Sequence, residues 1–236
     1  MIPVKAGRGR GVPLATWLLL AVNVAVYVYA SILNPGAFRL LVSRYAFIPY
    51  SFLQGERVYS IVTSMFIHAG FLHLAGNMLY LYVFGGGVEA KLGGLRFLAF
   101  YLTVGVLASL IHLAIQLYPS ATMLAYSPLH THLALDRLKA PCIGASGAIS
   151  GVLGAYLYLY PRSRVSVLMP TFFWLPMVVP IPALLFIGVW FAYQLWMGLT
   201  NLALGIFTGV AFWAHVGGFI AGLALVNSFK PSRLLA

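Results

Sequence analysis

Acidic side chains are almost missing from this sequence: its 236 residues hold Glu56, Glu89 and Asp136 as their three carboxylate side chains, against fourteen Lys and Arg. Chemistry that needs a carboxylate pair within the bilayer, or several acidic metal ligands, lacks its material. Cysteine is equally scarce. Cys142 stands alone, which excludes an intramolecular disulfide and any cysteine-rich metal site. No H-E-x-x-H stretch offers a zinc site. Charge as a whole is low, 7% of residues, where average usage is about 25%. What fills the space is apolar: 62% of residues are hydrophobic and the mean hydropathy is +0.96. The composition is that of a membrane protein, and neither metal nor cofactor is expected.

The net charge of +11 would suggest nucleic acid in a soluble protein. Here the basic residues are scattered between apolar runs instead of lining one face, as expected of loops that meet anionic headgroups. Membrane lipids are therefore the expected partners, and nucleic acid is not.

A helix needs about 20 mainly apolar residues to cross about 30 Å of hydrocarbon. Candidate spans lie at about 13–33, 71–88, 95–117, 146–161, 183–200 and 209–228, punctuated by Gly93-Gly94, Pro141 and basic residues. The first follows Lys5, Arg8 and Arg10, but it is longer than the apolar core of a signal peptide and no clear small-x-small cleavage site follows it. It is read as a first span behind a basic tail, residues 1–12. Val165 to Pro182 is also apolar, yet Pro170, Pro176, Pro180 and Pro182 would remove helical hydrogen bonds along its length, so it reads as a membrane-associated loop. The expectation is an all-α membrane protein: one integral-membrane domain over 1–236, with six transmembrane helices and no internal repeat.

Six crossings put both termini on one side. Basic residues in the termini and the loops after spans two and four are Lys5, Arg8, Arg10, Lys91, Arg96, Arg162, Arg164, Lys230 and Arg233; the other side has Arg39, Arg44, Arg57, Arg137 and Lys139. The richer side, which holds both termini, is expected to be cytoplasmic, and the protein is expected in the cell membrane. Two long loops, 34–70 and 117–144, then face outward, where long insertions between spans are often functional. The first, with Arg39 and Arg44 among aromatics, suits amphipathic helices lying in the interface.

Polar side chains within hydrocarbon are costly and so mark candidate sites, with helix packing as the plainer explanation. His73 and Asn77 lie one helical turn apart on one face of span two. Ser146 sits in Gly144-Ala145-Ser146-Gly147, where small neighbours let another backbone come close. His215 precedes a small-residue stripe, Gly218 and Gly222, which matches Gly147, Gly151 and Ala155 after the serine and predicts close packing of the two helices. All four polar residues fall near the outer starts of their spans, within ~10 Å of the interface for the second and sixth. The fourth span is short, about 24 Å, which puts Ser146 at the floor of a dip.

A serine hydroxyl is a poor nucleophile until an imidazole takes its proton, and the resulting oxyanion needs donors aimed at it. Ser146 and His215 can form such a dyad, with the Ser146 amide, Asn77 and His73 as donors. No carboxylate lies in any of these spans, so a Ser-His-Asp triad is not expected and His215 must be oriented by packing or by another hydrogen bond.

These residues resemble the rhomboid family of intramembrane serine proteases. His68-Ala69-Gly70-Phe71-Leu72-His73-Leu74-Ala75-Gly76-Asn77 is similar to the family's H-x4-H-x3-N motif, Gly144-Ala145-Ser146-Gly147 to its G-x-S-G, and Ala214-His215-Val216-Gly217-Gly218 to its A-H-x-x-G. The likeness covers roughly 45–228, including Gly85 to Gly93 with Glu89, and Pro182-Ala183 leading to Trp190 and Gln194. The resemblance implies Ser146 as nucleophile, His215 as general base, an oxyanion hole of His73, Asn77 and the Ser146 amide, and His68 supporting the loop above the site. It also implies a mobile substrate gate on the fifth helix around Trp190 and Trp196.

Three residues depart from the family pattern. Tyr59 and Ser60 stand where many members carry Trp-Arg, and Ser150 stands where some place an aromatic ring stacked on the base. His112 has no matching motif and reads as a packing histidine. His130 and His132 read as loop histidines, since nothing completes a metal site. Cys142 reads as a small apolar filler.

The expected substrates are transmembrane proteins whose helix has small or helix-breaking residues near its outer end, because a scissile amide must leave its helical hydrogen bonds. The rival reading is a catalytically silent rhomboid-like protein that binds membrane segments. A transporter fits less well, since its polar residues should run to the midplane. Aspartyl and metallo intramembrane proteases are excluded by the missing aspartate pair and the missing H-E-x-x-H.

Overall fold

The computed structural model describes residues 2–7, 11–33, 36–124, 135–170, 176–204 and 208–231. Strand β1 (Ile2–Lys5) precedes α1 (Leu14–Val28), which runs into a π-helical turn, Tyr29–Leu33. The first long loop holds α2 (Ala37–Tyr45), α3 (Pro49–Leu53), α4 (Ser60–Thr63) and a 3-10 turn, Ser64–Phe66. Then come α5 (Phe71–Leu92), α6 (Gly94–Leu124), α7 (residues 135–139), α8 (Ser146–Leu159), β2 (Arg164–Pro170), β3 (Pro176–Pro182), α9 (Ala183–Leu204) and α10 (Phe212–Leu225).

Among the described residues, five helical segments are long and apolar enough to cross a membrane, and Ser146–Leu159 is a shorter apolar helix. The six expected spans thus correspond to five of full length and one of 14 residues, about 21 Å at 1.5 Å per residue. Gly93 ends α5 at φ +82°, a conformation glycine adopts at little cost, and lets α6 begin at once.

The core sits on α8. Val152, Leu153, Ala155 and Tyr156 are buried in one cluster with Phe84 and Val88 of α5, Phe100 and Val104 of α6, and Phe219 of α10. A Cβ on Gly218 would collide with the Gly147 carbonyl, and one on Gly222 with that of Gly151. The small-residue stripes therefore meet as expected, backbone against backbone, and this contact brings the starts of α8 and α10 together.

Val165 to Pro182 corrects the loop expectation. β2 and β3 pair antiparallel, Val165 against Ile181 and Val167 against Val179, and β1 joins the other edge of β2 to make a three-stranded sheet. Pro176, Pro180 and Pro182 share one parity on an edge strand, so the missing donors all fall on its free side while the odd-numbered amides remain for β2. Val165 and Val167 are buried against the bundle. Part of the basic tail is accordingly a strand.

Candidate active site

Ser146 is the first residue of α8, behind Ala145 at its N-cap. First-turn amides have no acceptor within their helix and lie at its positive end, so the Ser146 N–H is available to a developing anion. Gly144 shapes the approach. Its φ of +116° suits glycine, its N–H donates to the Ser64 carbonyl at 2.9 Å, and a Cβ there would stand 2.8 Å from His73 Nε2. Gly147, on the far side of the serine, is where α10 closes in.

α10 carries His215, whose Nε2 lies 2.8 Å from Ser146 Oγ. Its Nδ1 lies 2.8 Å from Gln194 Oε1 on α9. A carbonyl oxygen only accepts, so Nδ1 carries the proton and Nε2 turns its lone pair to the Ser146 hydroxyl. The Trp190 ring stands 6.3 Å from the imidazole and that of Phe212 6.4 Å. The aromatic neighbour absent at Ser150 is thus supplied by another helix; Ser150 itself donates to the Ser146 carbonyl at 2.6 Å.

α5 presents His73 and Asn77 to the same place. The Ala69 N–H makes a long hydrogen bond, 3.4 Å, to His73 Nδ1, leaving Nε2 as the protonated atom beside Gly144. Asn77 is 8% exposed, and its Nδ2 has no protein acceptor among the described residues. A cavity of about 500 Å³ joins His73, Asn77, Ser146, Trp190, Gln194 and His215. Trp196, by contrast, is 70% exposed and does not line that cavity.

His68 lies in the first long loop just before α5, 2% exposed, its ring 5.0 Å from that of His73 in an edge-on contact. Burial lowers its pKa to about 4, and the neighbouring His73 adds to the effect. Burial pushes the Cys142 thiol up to about 12, in keeping with a filler, while the Cys142 backbone pairs with Phe47 in both directions. With Tyr59 and Ser60 in place of Trp-Arg, Arg57 fastens the first loop: it donates to the Ser43 carbonyl and, at 2.7 Å, to Ser51 Oγ. Tyr59 donates to the Arg44 carbonyl at 3.2 Å.

His112 is 6% exposed, as a packing histidine would be. It lines the same cavity, its Nε2 2.6 Å from the Gln116 amide nitrogen one turn on. The i, i+4 spacing was the available signal. His130 and His132 lie outside the described residues, and no cluster able to hold a metal occurs among those described.

Residues 55–230 match the family model for the Rhomboid domain. The chain is 29% identical over 208 residues to "Rhomboid protein 1, mitochondrial" of Saccharomyces cerevisiae, covering 88% of this chain and 51% of that protein. It is 30% identical over 244 residues to "Rhomboid protease AarA" of Providencia stuartii, covering 99% and 79%. It is 32% identical over 157 residues to "Rhomboid protease GluP" of Bacillus subtilis, covering 66% and 26%. The chain thus spans about half or less of the yeast and Bacillus relatives. With the domain match extending over most of its length, the chain belongs to the rhomboid family.

Proposed function

We propose that this chain is an intramembrane serine endopeptidase that cleaves transmembrane proteins at or near a membrane-spanning segment. The observation that carries the reading is the 2.8 Å separation of His215 Nε2 and Ser146 Oγ in the lining of a cavity among the apolar helices. Support comes from the relatives whose names call them rhomboid proteases.

In this mechanism His215 Nε2 takes the hydroxyl proton as Ser146 Oγ bonds to the scissile carbonyl carbon. The oxyanion is held by the Ser146 N–H, Asn77 Nδ2–H and His73 Nε2–H. As the tetrahedral species collapses, the C–N bond breaks, the imidazolium gives its proton to the leaving amine, and an acyl ester remains on Ser146. Water then attacks that ester, His215 takes the water's proton, and return of the proton to Oγ releases the acid product. The chemistry uses no cofactor. Trp190 and Trp196 belong to a gate on α9, and His68 supports the loop over the site. Both termini face the cytoplasm in this reading.

The test compares wild type with Ser146→Ala in detergent, following cleavage of a model transmembrane substrate and labelling by a fluorophosphonate. Wild type is expected to cleave and to be labelled, and the variant to do neither. Binding of the segment without cleavage by wild type would favour the silent membrane-segment binder instead.

A further inference from the structure

A neutral imidazole serves as general base towards Ser146 only when its proton sits on Nδ1, and in a Ser-His-Asp triad an aspartate enforces that tautomer. None is available here. Glu89 is bound to the start of α1, and Glu56 and Asp136 are exposed. The group on His215 Nδ1 is the Gln194 side-chain oxygen, 2.8 Å away, on a residue 7% exposed.

Building on the proposed protease reading, we infer that Gln194 is a positioning residue that fixes the tautomer and orientation of His215 in place of a triad carboxylate. Its oxygen accepts from Nδ1–H in the resting state. When His215 takes the serine proton, the same bond becomes charge-assisted and strengthens, so the interaction favours the transition state over the ground state. A neutral amide does this without placing a second charge in the hydrocarbon region, where an unpaired carboxylate would be expensive.

The location of Gln194 has a consequence. α9 supplies both Gln194 and Trp190 to His215, yet Leu184, Leu185, Val189, Tyr193, Trp196 and Leu199 of the same helix are exposed. A helix so placed orients the base only while seated against α10, so base competence is tied to the position of the helix that walls the site.

The experiment uses the full chain in detergent. Gln194→Met keeps the side chain's length and removes its oxygen; Gln194→Glu keeps an acceptor. On the strength of a hydrogen bond to a charged group, Gln194→Met is expected to lower kcat and the rate of fluorophosphonate labelling by about 10- to 100-fold, with KM little changed, and Gln194→Glu to recover most of the loss. The small probe reads activation of Ser146 without needing a transmembrane substrate to pass α9. Labelling of Gln194→Met at the wild-type rate, or equal loss in both variants, overturns the inference. Wild type labelled with [15N]histidine gives a reading free of folding effects: the His215 signal, assigned by its loss in His215→Asn, is expected to be the Nδ1–H tautomer, and an Nε2–H tautomer overturns it. Cleavage by Ser146→Ala would instead defeat the protease reading itself.

Discussion

Glu89 on α5 caps a helix 73 residues away in sequence, accepting from the Thr16 amide and the Thr16 hydroxyl at 2.7 Å each. Its other oxygen accepts from the Ala15 amide at 2.9 Å. Pro13 at the N-cap of α1 has no capping side chain, so these first-turn donors would otherwise go unmet away from water. Glu89→Gln turns a donor towards donors and is expected to destabilise the bundle by about 1–3 kcal/mol. A lower thermal midpoint in detergent is the measurement, and an unchanged one would remove this role.

Gly222 tests the contact that brings Ser146 and His215 together. A Cβ there would stand 2.6 Å from Gly151 Cα, backbone that cannot turn aside. Gly222→Ala is expected to cost about 1–3 kcal/mol through overpacking, and to slow fluorophosphonate labelling because α8 and α10 move apart. Normal midpoint and labelling together would contradict that packing.

Asn77→Ala removes a donor with no other protein partner among the described residues. In the proposed mechanism Asn77 is one of the oxyanion donors, and loss of one such donor typically lowers kcat by about 100- to 1000-fold. The expected signature is a fall in kcat with KM near wild type. Gly144→Ala, strained at φ +116° and crowding His73, is expected to follow the same pattern.

His68 sets a pH dependence of stability. Its imidazole titrates at about 4 in the folded chain, against an ordinary value of 6.5. The unfolded chain therefore binds more protons between those values, so stability is full above pH 6.5 and falls as the pH drops towards 4, by up to about 1.4 kcal/mol per pH unit. His68→Phe removes that titration. Thermal midpoints measured from pH 8 to 4 are expected to fall more steeply for wild type than for the variant, and parallel curves would contradict the assignment.

The signals legible in sequence were local ones. Apolar run lengths marked the membrane helices, i, i+4 spacing put His73 with Asn77, and glycine stripes foretold the close approach of α8 and α10. The β2–β3 pair was obscured by prolines, which read as loop until their shared parity on an edge strand is noticed. That His112 also lines the cavity of Ser146 and His215 follows only from how the helices pack.

By itself, then, the sequence determined a membrane chain with three polar motifs on separate helices, because composition and periodicity act within one element. Tertiary structure alone decided that His215 meets Ser146 across 69 positions and Gln194 across 21, and that Glu89 meets Thr16 across 73. Hydrogen bonds act over about 3 Å in space, and which distant side chains come that close is settled only when the helices pack.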